Sequence, residues 1–143
     1  MLKRPLLALV LLVGTLLSGP ARAEGLIVIA NRSVDVPTPV SLEEIAAIYL
    51  LRITVWPDGT HIVPVNREAT SLVREEFTAK ILQEDNAALA AYWNEMHFMG
   101  KEPPVVQQSD QAVLAFVRKV PGAIGYISAS MPPVNVKVLA HVR

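Results

Sequence analysis

Short apolar runs alternate along the chain with segments whose apolar residues recur at helical spacing. The run Leu26–Ala30 is continuously apolar, which is typical of a strand buried on both faces. Further strands are predicted over 61–65, 123–128 and 135–140, and helices over 41–51, 71–82, 85–100 and 109–120. This alternation predicts an α/β fold, with helices on both faces of a mixed, largely parallel sheet.

Each predicted helix begins at a residue that can cap it. Ser41 and Glu44 have the spacing of a capping box, and Ser109 stands at the start of the last helix. In the second helix Glu76 and Lys80 are expected to form an exposed pair one turn apart. The third helix carries an apolar stripe that is predicted to be core; its residues are Leu89, Tyr92, Trp93 and Met96.

Two turns separate these elements. Trp56-Pro-Asp-Gly59 combines a proline that presets φ with a glycine that tolerates positive φ, so it predicts a turn before the second strand. Pro121-Gly122 predicts a turn into the strand over 123–128, and both Gly122 and Gly125 are expected to serve that strand entry rather than a ligand.

The first 23 residues are typical of a secretory signal peptide. Lys3 and Arg4 precede an apolar run, and Ala21-Arg-Ala23 forms an A-x-A cleavage site. The run is shorter than the ~20 residues of a membrane span. We expect cleavage before Glu24, a periplasmic mature protein and no membrane insertion afterwards, with an uncleaved N-terminal anchor as the alternative.

Composition narrows the possible functions of the remaining residues, 24–143, which are predicted to form one domain. Without Lys3, Arg4 and Arg22 this part has three more acidic than basic residues, so a nucleic-acid partner is not expected. It has no cysteine, and its three histidines are too widely spaced for a metal site. No hydrolase, NTPase or dehydrogenase motif is present, so neither an enzyme nor a cofactor is predicted.

Candidate binding chemistry is concentrated at the predicted start of the second helix. Arg67, Thr70, Ser71 and Arg74 set two guanidinium groups and two hydroxyls around backbone N–H groups that lack helical partners. Such a group suits an oxyanion, because arginine offers a planar fork of donors. The alternative is that Thr70 or Ser71 caps the helix while both arginines are solvated.

Three blocks of sequence resemble one protein family. Arg67, Ser71 and Phe77 match an Arg-x-x-x-Ser-Gly-Thr-x-x-x-Phe pattern, Val120-Pro-Gly-Ala-Ile-Gly-Tyr126 matches a turn and strand, and residues 40–65 match a helix followed by Trp-x-x-Gly. All three blocks, in the same order, are found in the phosphate-binding proteins of ABC transporters. The resemblance covers about residues 40–128 and implies one lobe of a type II periplasmic binding protein.

The resemblance implies two functional hypotheses. In the first, the chain is a periplasmic solute-binding or sensing protein for phosphate or a similar oxyanion, which Arg67, Thr70, Ser71 and Arg74 contact, and its partner is a transporter permease, a sensor protein or a second copy. The second hypothesis rests on Leu72-Val73, which replaces the family's Gly-Thr. It describes a periplasmic protein-interaction module that kept the fold and lost anion binding.

Overall fold

One five-stranded sheet organises the protein. The structure, a computed structural model, describes Gly14 and residues 25–143; apart from Gly14, the predicted signal peptide lies outside these residues. In chain order the strands are β1 (Leu26–Ala30), β2 (Val63–Arg67), β3 (Val105–Gln107), β4 (Ala123–Ser128) and β5 (Lys137–Val142). The helices are α1 (Leu42–Tyr49), α2 (Leu72–Phe77), a π-helical turn (Thr78–Leu82), α3 (Asn86–Phe98) and α4 (Asp110–Lys119).

The sheet is mixed, as predicted, and its strand order is β3-β2-β4-β1-β5. Strand β2 runs parallel to β3 and β4, whereas β1 runs antiparallel to β4 and β5. Parallel pairing is therefore confined to half of the neighbouring strand pairs. This arrangement brings the carboxyl ends of β2, β3 and β4 to the same edge, where the polar sites of α/β sheets usually form.

Helices cover both faces of the sheet. On one face α1, α2 and the π-helical turn pack against alternate residues of β1 and β4; the buried core there includes Leu26, Val28, Ile45, Ile48, Tyr49, Phe77, Ile81, Ile124 and Tyr126. On the other face α4 packs through Val113, Leu114 and Val117 against Ile27, Ile29, Val65 and Ile127. The period of two along each strand divides the apolar residues between the two faces.

Two glycines have different structural roles, one just before β4 and one within it. Gly122 has a φ of +76°, and a side chain there would approach the backbone oxygen of His61 to 2.2 Å, so this glycine serves the turn as predicted. Gly125 instead lies under α4, where a Cβ atom would approach Val113 Cγ1 to 2.7 Å. The prediction that Gly125 serves the strand entry was wrong, because its role is close packing between helix and strand.

Helix α3 differs from its prediction. Only Met96 is buried, while Leu89, Tyr92 and Trp93 are partly exposed. Tyr92 Oη donates a hydrogen bond to the Leu50 carbonyl oxygen, which ties the helix to the end of α1. The predicted apolar stripe therefore exists, but much of it borders a cleft instead of entering the core.

Glu76 also differs from its prediction. It forms the expected ion pair with Lys80, yet its side chain is only 7% exposed because α2 lies close against the sheet. Among the described helices none has both the length and the apolar composition needed to cross a bilayer.

Candidate functional site

The last two residues of β2 point to opposite faces of the sheet. Val65 packs in the core beneath α4, and Arg67 points to the same side, where its guanidinium contacts Asp110 of α4. Asn66 lies on the other side, where its Oδ1 accepts hydrogen bonds from Tyr126 Oη and the Arg67 backbone N–H. This alternation places different polar groups in two separate cavities.

Each of the three nitrogens of the Arg67 guanidinium donates to a carboxylate. Its Nε and Nη2 donate to the two carboxylate oxygens of Glu68 at 2.9 and 3.0 Å, and Nη1 donates to Asp110 Oδ1. The side chain is 11% exposed. The hydrogen bond to Glu68 raises the pKa of Arg67 and lowers the pKa of the Glu68 carboxyl. The Arg67 side chain is therefore fixed by these carboxylates and stays positively charged at the edge of the sheet.

Asp110 joins three elements at this edge. While Oδ1 accepts from Arg67, Oδ2 accepts from Ser128 Oγ at 2.5 Å and from the Ser128 backbone N–H at 3.3 Å. Asp110 is the first residue of α4, which Ser109 caps through the Ala112 N–H. The carboxylate thus holds the ends of β2 and β4 against the start of α4, where the helix dipole favours a negative charge.

The start of α2 has the predicted cap. Ser71 Oγ accepts from the Arg74 backbone N–H at 3.4 Å, which confirms the capping interpretation for Ser71. Within residues 25–143, the N–H groups of Leu72 and Val73 have no protein acceptor. Thr70 is exposed and makes no hydrogen bond there, and the Leu72 side chain is 50% exposed. The helix start therefore keeps free donors beside an apolar residue.

A hollow of about 330 Å³ lies between the starts of α2 and α4. We call it the anion hollow; its lining residues are Arg67, Ser71, Leu72, Val73, Ser109, Asp110, Gln111 and Ser128. Two helix starts and a guanidinium give it donors, whereas Asp110 adds a negative charge. Of the four predicted ligand-binding residues, the fold brings Arg67 and Ser71 together here.

Arg74 lies on the other side of β2. Its Nη1 donates to the Arg67 carbonyl oxygen at 2.7 Å, and the rest of its side chain lines a cleft of about 650 Å³ between α2 and α3. Thr70 lines neither cavity. The structure thus places the guanidinium groups of Arg67 and Arg74 in different cavities, connected through one backbone carbonyl.

Aromatic packing supports the end of β2. The rings of Phe77 and Tyr126 stack with centroids 4.0 Å apart, and Tyr49 meets Phe77 edge-on at 4.6 Å. Tyr49 Oη donates to the Val65 carbonyl oxygen at 2.8 Å. Burial raises the pKa of both tyrosines, so both hydroxyls stay protonated donors at neutral pH. The Phe77 of the sequence motif is therefore a core residue that fixes α2 on the sheet.

Comparison with known proteins supports the fold assignment. No family model and no curated protein matches the chain. Solved structures match it well: a phosphate ABC transporter substrate-binding protein with bound phosphate from Clostridium perfringens has a TM-score of 0.61 and 22% identity, over 80% of this chain and 44% of that one. An ABC-type phosphate transport receptor from Vibrio cholerae gives 0.63 and 22%, over 80% and 45%. The chain has the fold of one lobe of such proteins.

This lobe spans less than half of the solved chains that it matches. The PstS protein of Borrelia burgdorferi matches over 81% of this chain and 46% of its own, with a TM-score of 0.64 and 17% identity. At such low identity the likeness concerns the fold. The α/β architecture and the resemblance to phosphate-type substrate-binding proteins are thereby confirmed.

Several site residues of the lobe were not predicted from the sequence. Asp110, Glu68 and Ser128 surround Arg67, and Asn66 organises the opposite face. Asp110 had a local signal, since it follows a capping serine, but that pattern indicates only a helix start. Within the described part of the chain, no group of three or more metal-ligating side chains is assembled.

Proposed function

We propose that the protein is an exported, non-enzymatic solute-binding or sensing protein whose anion hollow takes phosphate or a similar oxyanion. One observation carries the proposal: the starts of α2 and α4 both line a hollow that Arg67 borders, and the Leu72 and Val73 N–H groups at the start of α2 have no acceptor among the described residues. Ser71 lines the hollow, Thr70 directly precedes Ser71 in the chain, and Arg74 acts through the Arg67 carbonyl oxygen. The choice of anion is supported by the matching solved structures, which are proteins of phosphate transport, one of them with bound phosphate.

Charge limits what one lobe can bind. Arg67, Glu68 and Asp110 together carry one net negative charge, so an incoming anion competes with carboxylates that already hold the guanidinium. The hollow is also open to water, which weakens charge-assisted hydrogen bonds. We therefore propose that tight binding requires a second surface, supplied by a transporter permease, a sensor protein or a second copy of the chain.

The test of anion binding uses Asp110→Asn instead of removing Arg67. The amide keeps the shape of the carboxyl group but removes one negative charge beside the hollow, so phosphate should bind roughly tenfold more tightly than to the natural chain. Calorimetric titration with phosphate, sulfate and arsenate measures this change. Glu43→Gln is the matched control, because Glu43 lies in the first turn of α1 and does not line the hollow.

Hydrogen exchange locates the bound anion. Phosphate should slow amide exchange over residues 67–77 and at the start of α4 and leave the rest of the sheet unchanged, since only these two helix starts would gain acceptors. If neither the natural chain nor Asp110→Asn binds any of the three anions at millimolar concentration, the anion proposal is wrong for the isolated protein.

A second function is favoured by the contacts of Arg67. All three of its nitrogen positions donate to carboxylates, and Leu72 presents an apolar surface at the rim of the hollow. Both features suit a periplasmic protein-interaction module that has lost anion binding. Leu72→Gly distinguishes the two functions: if phosphate binds only to that variant, the natural chain is a module. Val73 is left in place because it is buried, and a threonine hydroxyl there would enter the core.

Export is proposed on the sequence pattern of residues 1–23, with a periplasmic location for the mature chain. Mass spectrometry of protein recovered from a periplasmic fraction should give a chain that begins at Glu24. Recovery of the intact N-terminus with the membrane fraction would instead indicate the anchor alternative.

A further inference from the structure

A second cavity, distinct from the anion hollow, lies on the opposite face of β2. This α3 cleft has a volume of about 650 Å³ between α2, the π-helical turn and α3. Its inner end is formed by Tyr49 and Asn66, which are buried or half-buried, and its mouth by the exposed Glu84, Asp85 and Asn86. A cavity of this size is typical of small-molecule sites.

The inner end of the α3 cleft offers unpaired donors. Asn66 Oδ1 already accepts two hydrogen bonds, which orients the amide and leaves its Nδ2 group without an acceptor among the described residues. Arg74 uses only Nη1 for the Arg67 carbonyl oxygen, so its Nε and Nη2 are likewise unpaired within residues 25–143. Together these groups can bind a carboxylate through charge-assisted hydrogen bonds.

Toward the mouth the charge is reversed. Glu75, Glu84 and Asp85 line the α3 cleft with one arginine, so the lining carries two net negative charges. Asp85 Oδ1 is engaged as the cap of α3 through the Ala88 N–H, whereas Glu84 accepts no hydrogen bond among the described residues. A simple anion would be repelled by this lining, but a ligand with a carboxylate at one end and an ammonium group at the other would match it.

The wall of the α3 cleft between these polar ends is apolar. Leu82 and Leu89 line it together with Trp93, whose ring meets Tyr92 edge-on at 5.2 Å. These are residues of the α3 stripe that the core does not cover. The partly exposed indole offers a flat apolar surface for an aliphatic or aromatic group.

We propose that the α3 cleft binds a free amino acid with an apolar side chain. Its carboxylate meets Arg74 and Asn66, its ammonium group faces Glu75 and Glu84, and its side chain packs on Trp93. This site does not depend on anion binding in the hollow, because Arg67 and Ser71 do not line the cleft.

The test compares three probes of one shape. L-phenylalanine carries both charged groups, 3-phenylpropanoate lacks the ammonium group and 2-phenylethylamine lacks the carboxylate. In NMR titrations of the full mature chain, phenylalanine should shift the Trp93 indole N–H signal, while the other two probes bind about tenfold more weakly. Trp56 is the internal reference, because its buried indole donates to the Gly122 carbonyl oxygen away from the cleft.

Two variants separate the roles of the charges. Arg74→Gln should abolish the phenylalanine shift, and Arg52→Gln is its control, because Arg52 lies over Tyr92 and does not line the cleft. Glu84→Gln changes only an exposed residue. It should weaken the binding of phenylalanine and strengthen the binding of 3-phenylpropanoate. Absence of a Trp93 shift at millimolar phenylalanine, equal binding of all three probes, or an unchanged preference in Glu84→Gln would overturn the proposal. Phosphate titration of the same samples reports on the hollow separately.

Discussion

Replacement of Gly125 by alanine tests how α4 is seated on the sheet. Gly125 lies in β4 with an ordinary backbone conformation, so the substitution causes no backbone strain and acts only through contact. The new methyl group would lie 2.7 Å from Val113 Cγ1 and 3.1 Å from Val117 Cγ2. Both valines are fully buried. Something must therefore move, and the candidates are a valine rotamer or the helix itself.

The cost follows from the stiffness of valine. A helical valine has one strongly preferred χ1 rotamer, so neither side chain can turn away cheaply and α4 must shift outward. Overpacking of this kind costs about 1–3 kcal/mol. In a domain of this size each kcal/mol lowers Tm by about 4 °C. The shift would also loosen the Asp110 contacts to Arg67 and Ser128 at the start of the same helix.

Urea unfolding of a double-mutant cycle isolates the contact. Val113→Ala alone should cost about 2 kcal/mol by leaving a cavity. In the double variant Gly125→Ala/Val113→Ala the new methyl group meets a site from which both γ-methyl groups of Val113 are gone, so its cost should fall at least about 1 kcal/mol below the sum. Gly59→Ala is the control for coupling: its φ of +88° gives the substitution a backbone cost of its own, but nothing lies within 4 Å of the new methyl group, so that cost should add to the cost of Val113→Ala. Additive costs, or a Gly125→Ala variant as stable as the natural chain, would refute the close-packing explanation.

Three further predictions concern stability. Burial raises the pKa of Tyr49 and Tyr126, so their contribution is intact below the unfolded pKa near 10 and is lost as pH rises above it; unfolding free energy should fall by up to about 2.7 kcal/mol per pH unit there. In a Tyr92→Phe background, which removes the partly exposed third tyrosine, tyrosinate absorbance at 295 nm should appear only on unfolding. Lys80→Met leaves the Glu76 carboxylate buried and unpaired, and should lower the free energy of unfolding in urea at pH 7 by about 1–3 kcal/mol. Adding Glu76→Leu to the same chain should restore that stability. Gly122→Ala should cost more than Gly125→Ala in the same assay, because it combines positive φ with a backbone clash.

Local signals predicted much of the fold. Ser41, Ser71 and Ser109 all cap helices as expected, because each hydrogen bond closes within three residues of chain. Strand β3 was missed, since three residues after Pro103-Pro104 carry too little periodicity to indicate pairing with β2.

The candidate site was less predictable because its contacts are distant in sequence. Arg67 and Asp110 lie 43 positions apart, and no local pattern announces their ion pair. The apolar spacing of α3 was correct, but spacing does not determine whether another element covers a helix face. The prediction that Arg67 and Arg74 contact the same anion depended on where β2 ends. The sequence pattern placed that end two residues too early.

Both cavities depend on the alternation of side chains along β2. Arg67 lies two positions after Val65 and therefore on the same side of the sheet, where it faces the anion hollow. Asn66, between them, faces the α3 cleft on the other side. Deleting a single residue of β2 ahead of Asn66, with the start of the strand held in register, would exchange which face receives the guanidinium and which receives the amide. Point substitutions can therefore tune either cavity alone, whereas insertions and deletions in this strand alter both at once.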